Sequence, residues 1–297
     1  MVIASVLILA NVPKRYDYDV PPTLAVALGD MVNVVFAKRP QVGLVMAITS
    51  NTSSDFELLP ILSVDTKRLP VPDDLRALLN WFRDFYCVRD YVAFKALIGL
   101  KKRRELPEHP PATVDPLPAL SAEQSVIVDA ITHPHHKQHL LHGITGSGKT
   151  HVYAHSIQRV IATGRSAIVL IPEISLTPQF TAFFSQHFDR IAIVHSGLTP
   201  KNKDIVWNRC LAGELDVIIG PRSAIFMPLP QIGLIIIDEE HDTSYKQDSH
   251  PRYYTHDVAQ ERARLHDATL VLGSATPSVD TYYKAQSGRM IDRKSVV

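Results

Sequence analysis

Eight consecutive residues, Gly143, Ile144, Thr145, Gly146, Ser147, Gly148, Lys149 and Thr150, have the spacing G-x-x-x-x-G-K-[ST]. Residue types in this order suit one kind of chemistry, the holding of a nucleotide's phosphates. The glycines let backbone N–H groups face an anion, and a helix beginning at the lysine adds positive potential. Lys149 reaches the β- and γ-phosphates, and the Thr150 hydroxyl ligates Mg²⁺. Such a loop needs a carboxylate for the metal and a base for the attacking water. Both are offered by Asp238, Glu239, Glu240 and His241, which follow the apolar run Leu234 to Ile237. Asp238 suits Mg²⁺, and Glu239 suits the orientation and deprotonation of water. A glutamate directly after the metal aspartate favours hydrolysis over phosphoryl transfer to a second substrate.

The elements that must place these groups are visible as short apolar runs. "HLLHG", "SAIVLIP", "IAIVHS", "DVIIG", "LIIIDEE" and "TLVLGSAT" read as strands separated by helical or polar segments. Continuous apolar strands covered on both faces signal a parallel sheet in an α/β fold, with ligands at the strands' C-terminal ends. The phosphate loop sits between the first of these strands and a helix that Gly164 can end.

Residues 1–100 have a different texture. "MVIASVLILA" lacks a basic leader and is too short to span a bilayer, so it reads as a first β-strand. "GDMVNVVF" and "QVGLVMAIT" read as a hairpin, with Pro40 and Gly43 marking the turn and its exit. "DDLRALLNWFRDFYC" places Leu75, Leu78, Leu79, Phe82 and Tyr86 at helical spacing behind the capping candidates Asp73 and Asp74. Trp81 and Phe85 are expected to pack in the core or on the helix rather than to stack on bases. The proline-rich stretch 101–119 reads as an exposed linker, and its tetrad Lys101 to Arg104 could either touch phosphates or be merely solvated. Residues 120–297 then form the second domain.

A formal net charge of +1 excludes a uniformly basic surface, so nucleic-acid binding would rest on local clusters. Cys87 and Cys210 lie far apart without CxxC spacing, which argues against a disulfide framework or a cysteine zinc site and for a reducing, cytoplasmic setting. His133, His135, His136 and His139 read as a surface loop rather than a metal site.

DEEH, "GSATPS" and "GPRSA" together resemble superfamily 2 helicases. With "GITGSGKTHVY", "IPEISLTPQ", "HSGL", "IDEEHDTSYKQ" and "PRYYTHDVA" in order, the chain is similar to the primosomal protein N′ (PriA) family of replication-restart helicases. The resemblance implies a RecA-like P-loop lobe behind a small β-rich domain that binds the 3′ end of DNA. It implies an ATP-dependent 3′→5′ DNA helicase, using ATP and Mg²⁺, that assembles primosome proteins at stalled forks. Forked or branched DNA, single-stranded DNA and the 3′ end of a nascent leading strand are the implied partners; no membrane is.

By the same resemblance, "YDYDVP" puts Asp17 between Tyr16 and Tyr18 in the pocket for the terminal nucleotide. On residue chemistry alone the two tyrosines could simply pack. Gln124 reads adenine, and His241, Ser274 and Thr276 couple the nucleotide site to DNA. Tyr245, Lys246, Arg252 and Tyr253 sense single strand, and Arg222 contacts a phosphate. The sequence departs from the family pattern at Ala37, where a glycine is usual, at Leu59, where a lysine is usual, and at Pro221, Tyr254 and His256. The family's winged helix does not fit in 101–119. The second RecA-like lobe, its arginine finger and the zinc-binding cysteines expected of the full-length family have no counterpart, and "RMIDRKSVV" matches nothing expected. The chain therefore reads as an N-terminal portion, expected to lack unwinding activity by itself. The competing reading is a branched-DNA- and ATP-binding fragment without turnover.

Overall fold

The computed structural model describes residues 2–50, 57–107, 113–133, 137–144 and 146–294. The chain divides into two compact units, residues 1–105 with 249–252, and 106–248 with 253–297.

In the first unit, strands β1 (Ile3–Ile8), β2 (Tyr16–Asp19), β3 (Met31–Phe36), β4 (Arg39–Thr49) and β5 (Ser63–Val64) form an antiparallel sheet in the order β2-β1-β4-β3-β5. Alternation sends Ala4, Val6, Ile8, Tyr18, Val32, Val34 and Val45 into one apolar cluster. The β3–β4 turn is two residues, Ala37 and Lys38, both with positive φ (47° and 61°). This corrects the expected turn. Pro40 and Gly43 lie within β4, opposite Val35 and Val32.

Helix α1 (Asp73–Phe85) buries Leu75, Leu78, Leu79 and Phe82, as their spacing requires. Its cap is Pro72, while Asp73 and Asp74 occupy the first turn, where their charge opposes the helix dipole. Phe85 is 55% exposed and stacks on Trp81 at 4.8 Å, so the two rings pack on the helix rather than in the core. Helix α2 (Asp90–Leu97) completes the unit. The described residues of the proline-rich stretch are mostly exposed, and the boundary between the two units falls within it. Arg103 N donates to Lys67 O, while Asp115 N donates to Gln186 O, so its two ends are built into different units.

The second unit runs α3 (Ala122–Ile131), β6 (Gln138–His142), α4 (Lys149–Ala162), β7 (Ser166–Leu170), α5 (Pro178–His187), β8 (Ile191–Ile193), α6 (Pro200–Leu211), β9 (Val217–Gly220), β10 (Ile232–Ile237), α7 (Thr255–His266), β11 (Thr269–Ser274), α8 (Val279–Gln286) and β12 (Ile291–Lys294). Its seven strands are parallel, in the order β12-β6-β11-β10-β7-β9-β8. All six expected strands are present, and β7, β9 and β10 are buried throughout. β12 was not expected. "IDRK" has no apolar run, and the strand forms by parallel pairing with β6. His139, expected in a surface loop, is buried in β6. His135 and His136 lie outside the described residues. No described helix is long and apolar enough to cross a membrane.

Candidate nucleotide site and its coupling network

The phosphate loop joins β6 to α4. Gly146 and Gly148 both have left-handed backbones (φ 84° and 78°), which glycine adopts without steric cost. Thr145 lies outside the described residues. Lys149 is buried, and its Nζ donates to Gly143 O at 2.8 Å and Ile144 O at 3.4 Å, which folds the loop around the ammonium. Ser147 is also buried, and Thr150 is half-buried one residue into α4. Gln124 approaches from α3. Its side chain closes a capping box with Ser121, and a Cβ on Gly148 would stand 2.3 Å from Gln124 Nε2. The φ of 78° at Gly148 would strain any side chain, and the expected adenine reader lies beside it.

At the end of β10, Asp238 faces the same helix. Tyr153, one turn beyond Lys149 on α4, donates its hydroxyl to Asp238 Oδ1 at 2.8 Å. Sequence reading missed Tyr153: nothing local announces a pair 85 residues apart. Burial raises the Asp238 carboxyl above its ordinary value and the Glu239 charge adds to this, while the Tyr153 hydrogen bond and the Lys149 charge oppose it. A carboxylate and a hydroxyl are hard oxygen donors, so Asp238 and Thr150 fit a Mg²⁺ ion.

Glu239 follows with φ 45°, a left-handed backbone that an L-residue adopts at a cost of about 1–2 kcal/mol. Such strain collects at functional sites. Glu239 Oε2 lies 3.7 Å from His241 Nδ1, and that nitrogen lies 2.8 Å from Ser274 Oγ. Ser274 Oγ in turn accepts from Thr276 N at 3.0 Å. The structure thus brings Glu239, His241, Ser274 and Thr276 into one chain of contacts.

Glu240 was read only as part of an acidic run, and it proves to be a fully buried fastening. It accepts from Ser278 N (2.6 Å), Ser278 Oγ (3.1 Å) and Thr281 Oγ1 (2.8 Å), and His256 Nε2 lies at 3.2 Å. Burial pushes its carboxyl up, but the hydrogen bonds from His256, Ser278 and Thr281 outweigh this and hold it below the ordinary glutamate value.

The expected single-strand sensors divide. Tyr245 is wholly buried, donating to Asp238 O (2.6 Å) and Leu170 O (3.0 Å), so its ring supports the backbone at Asp238 and cannot stack on a base. Tyr253 is buried with an edge contact to Phe226. Arg222 spends Nη1 on Ser244 O and Lys246 O and lies over the Tyr253 ring, which makes it a clasp of the aromatic loop. Lys246 stays exposed, 5.4 Å above the Tyr254 ring. Arg252 is exposed in the 249–252 segment that groups with the first unit. On β2, Tyr18 is core, 3% exposed, with its hydroxyl donated to Val35 O. Tyr16 is half-buried against Phe36, and Asp17 is exposed on the opposite face. Tyr18, Tyr245 and Tyr253 therefore leave the set of exposed DNA contacts, because each ring lies inside its unit.

Comparisons with known proteins match the geometry. Residues 121–285 match the DEAD/DEAH box helicase family, and residues 5–98 match the 3′ DNA-binding domain (3′BD) described for PriA. The chain is 46% identical over 178 residues to the replication restart protein PriA of Bacillus subtilis (strain 168), covering 59% of this chain and 22% of that protein. It is 30% identical over 376 positions to PriA of Chlamydia pneumoniae, covering 97% and 50%. To PriA of Rickettsia conorii (strain ATCC VR-613 / Malish 7) it is 33% identical over 294 positions, covering 95% and 44%. The chain thus spans half or less of the length of these relatives. The 376 positions exceed the 297 residues of this chain, so the chlamydial protein has residues within the matched region that this chain lacks.

Proposed function

Because the chain belongs to the DEAD/DEAH box helicase family and matches its PriA replication-restart members along nearly its whole length, we propose that it carries the ATP-binding lobe and the DNA-end-binding unit of an ATP-dependent 3′→5′ DNA helicase. The observation that carries this reading is the Tyr153–Asp238 hydrogen bond, which ties the phosphate-loop helix to the carboxylate at the end of β10. In this assignment Lys149 neutralises the β- and γ-phosphates of ATP, and Gly143 to Gly148 cradle them with backbone N–H groups. Thr150 and Asp238 hold Mg²⁺, which when bound screens phosphate charge. Glu239 orients the attacking water and takes its proton. Gln124 reads adenine. His241, Ser274 and Thr276 pass the state of Glu239 to the surface where DNA lies.

In the first unit Asp17 and the exposed edge of Tyr16 receive the 3′ end of a nascent leading strand at a forked substrate. Lys246 and Arg252 remain the aromatic loop's candidates for single-stranded DNA. Primosome proteins and a cytoplasmic setting follow from the same reading. Among the described residues no group of three or more His, Cys, Asp or Glu is placed to hold a metal.

The test is nucleotide binding and ATP hydrolysis by the purified chain, with and without forked DNA. Lys149→Ala should abolish nucleotide binding, whereas Glu239→Gln should keep binding and lose turnover. Equal loss of binding in both variants refutes this division of roles. Binding of fork and ATP by the unaltered chain with no hydrolysis under any condition would favour a non-catalytic binding fragment.

A further inference from the structure

The first unit contains a cleft that neither the phosphate loop nor the β2 strand uses. A cavity of about 610 Å³ opens between the turn that follows β5 and residues 102–105. Lys67, Arg68, Lys102, Arg103 and Arg104 line it, against the carboxylates of Asp65 and Glu105. In a chain with a formal net charge of +1 this is a local concentration, not the reflection of a basic protein.

The backbone fixes these cations in place. Arg103 N donates to Lys67 O at 2.8 Å, and Arg68 and Lys102 form an antiparallel bridge. Arg103 Nε donates to Thr66 O at 3.2 Å, and Arg68 Nε to Asp65 Oδ2 at 2.8 Å. Lys102 and Arg103 are thus tied to the turn that follows β5. Like charges around one concave wall repel each other, and a polyanion relieves that repulsion while releasing its own condensed counterions. The volume is that of a site burying a drug-sized ligand, more than one phosphate needs.

The cleft is also separate from the end-reading strand. In the order β2-β1-β4-β3-β5, Asp17 lies on one edge strand and the cleft follows the other. The two are nevertheless parts of one fabric, since Asp19 N on β2 donates to Leu59 O and Ile61 N donates to Asp19 O just before β5.

We propose that this cleft is a second DNA subsite, gripping the sugar-phosphate backbone without reading sequence or the 3′ end. The proposal rests on the reading of the first unit as DNA-binding. Contacts of this type position a protein and carry most of its salt-sensitive affinity.

The test uses the whole 297-residue chain and a fluorescent forked duplex, with Kd followed by anisotropy from low to moderate salt. Lys67→Gln/Lys102→Gln should bind roughly tenfold more weakly at low salt, with a log–log salt slope shallower by about 1–2. Its preference for a free over a blocked 3′ end should persist, whereas Asp17→Ala should lose that preference and keep the slope. A Lys67→Glu/Lys102→Glu variant with an unchanged thermal midpoint should be weaker still, which separates charge from misfolding. Wild-type affinity and slope in both double variants overturn the proposal while leaving end binding intact. No fork binding by the wild-type chain overturns the parent reading and this one together.

Discussion

Gly273, the penultimate residue of β11, offers the sharpest test of how the site is held. A Cβ built there would lie 1.8 Å from the Tyr153 hydroxyl oxygen, 3.0 Å from Tyr153 Cζ and 3.1 Å from Asp238 Oδ1. Tyr153 has nowhere to go, since it is fully buried in the cluster that includes Val152, Leu141 and Ile236. Gly273→Ala therefore overpacks the lobe, at a cost of about 1–3 kcal/mol. It also forces the hydroxyl off Asp238, losing a hydrogen bond to a charged group of about 1.5–3 kcal/mol. A total of about 2.5–6 kcal/mol corresponds to a fall of about 5–24 °C in the melting temperature of a lobe this size. Tyr153→Phe removes the atom at 1.8 Å and leaves the ring carbon at 3.0 Å as the nearest obstacle. In that background the glycine substitution should be milder, giving a coupling above about 1 kcal/mol in a urea-denaturation double-mutant cycle. A Gly273→Ala protein that melts with the wild type, or two substitutions whose costs simply add, would falsify the steric argument.

Tyr153→Phe also removes an influence that lowers the Asp238 carboxyl, so Asp238 should rise further and the acid limb of the ATPase pH profile should move to higher pH. An unmoved limb would mean that Asp238 does not set it. Glu240 is held below its ordinary value in the fold, so it stabilises the lobe above the unfolded glutamate pKa of about 4.3, and that contribution disappears as pH falls through the folded value. The stability gap to Glu240→Gln should thus be about 1.5–3 kcal/mol or more near neutrality and should close in acid; a gap that widens in acid has the wrong sign. Ala37→Gly relieves a left-handed alanine, and should gain about 0.5–1 kcal/mol in urea unfolding after glycine's entropy is offset. Finally, the chain expressed by itself should not displace a strand from forked DNA, because its described residues form one RecA-like sheet and strand transport requires two lobes gripping alternately.

What sequence could show depended on whether the physics was local. The phosphate loop and the strand into Asp238 were legible because glycine spacing and unbroken apolar runs are written in adjacent residues. Helix α1 was legible for the same reason, down to its buried leucines. The β3–β4 turn was misplaced because proline and glycine are the usual turn markers, whereas here alanine and lysine take the left-handed positions and Pro40 sits in a strand. Strand β12 was invisible because backbone pairing with β6 holds it. Tyr245 and Tyr253 sit among polar neighbours that suggest an exposed loop, yet each ring turns inward, and ring direction leaves no mark on composition. The basic tetrad is ambiguous in sequence because charge alone does not distinguish a wall from a tether, whereas the Arg103 N to Lys67 O bond is a long-range contact.

In the proposed assignment the run from Asp238 to His241 divides four tasks among four adjacent residues, and the backbone changes direction inside it. Asp238 N still bonds to Leu170 O on β7, so the first carboxylate has the rigidity of the sheet. The left-handed turn at Glu239 then breaks the strand and keeps that second carboxylate partly exposed, where water can reach it. Glu240 N bonds to Gly273 O on β11, and its side chain is carried under the Ser278–Thr281 cap of α8, which anchors the new direction to the strand that bears Ser274. His241, released to the surface, lands on Ser274 itself. A conservative change at Glu240 should therefore disturb coupling without touching ATP, since it loosens the fastening that sets the His241–Ser274 distance and leaves Lys149, Thr150 and Asp238 where they were. In Glu240→Gln the affinity for nucleotide should hold while stimulation of ATP hydrolysis by DNA falls. Loss of nucleotide affinity with stimulation preserved would place Glu240 in the metal site instead.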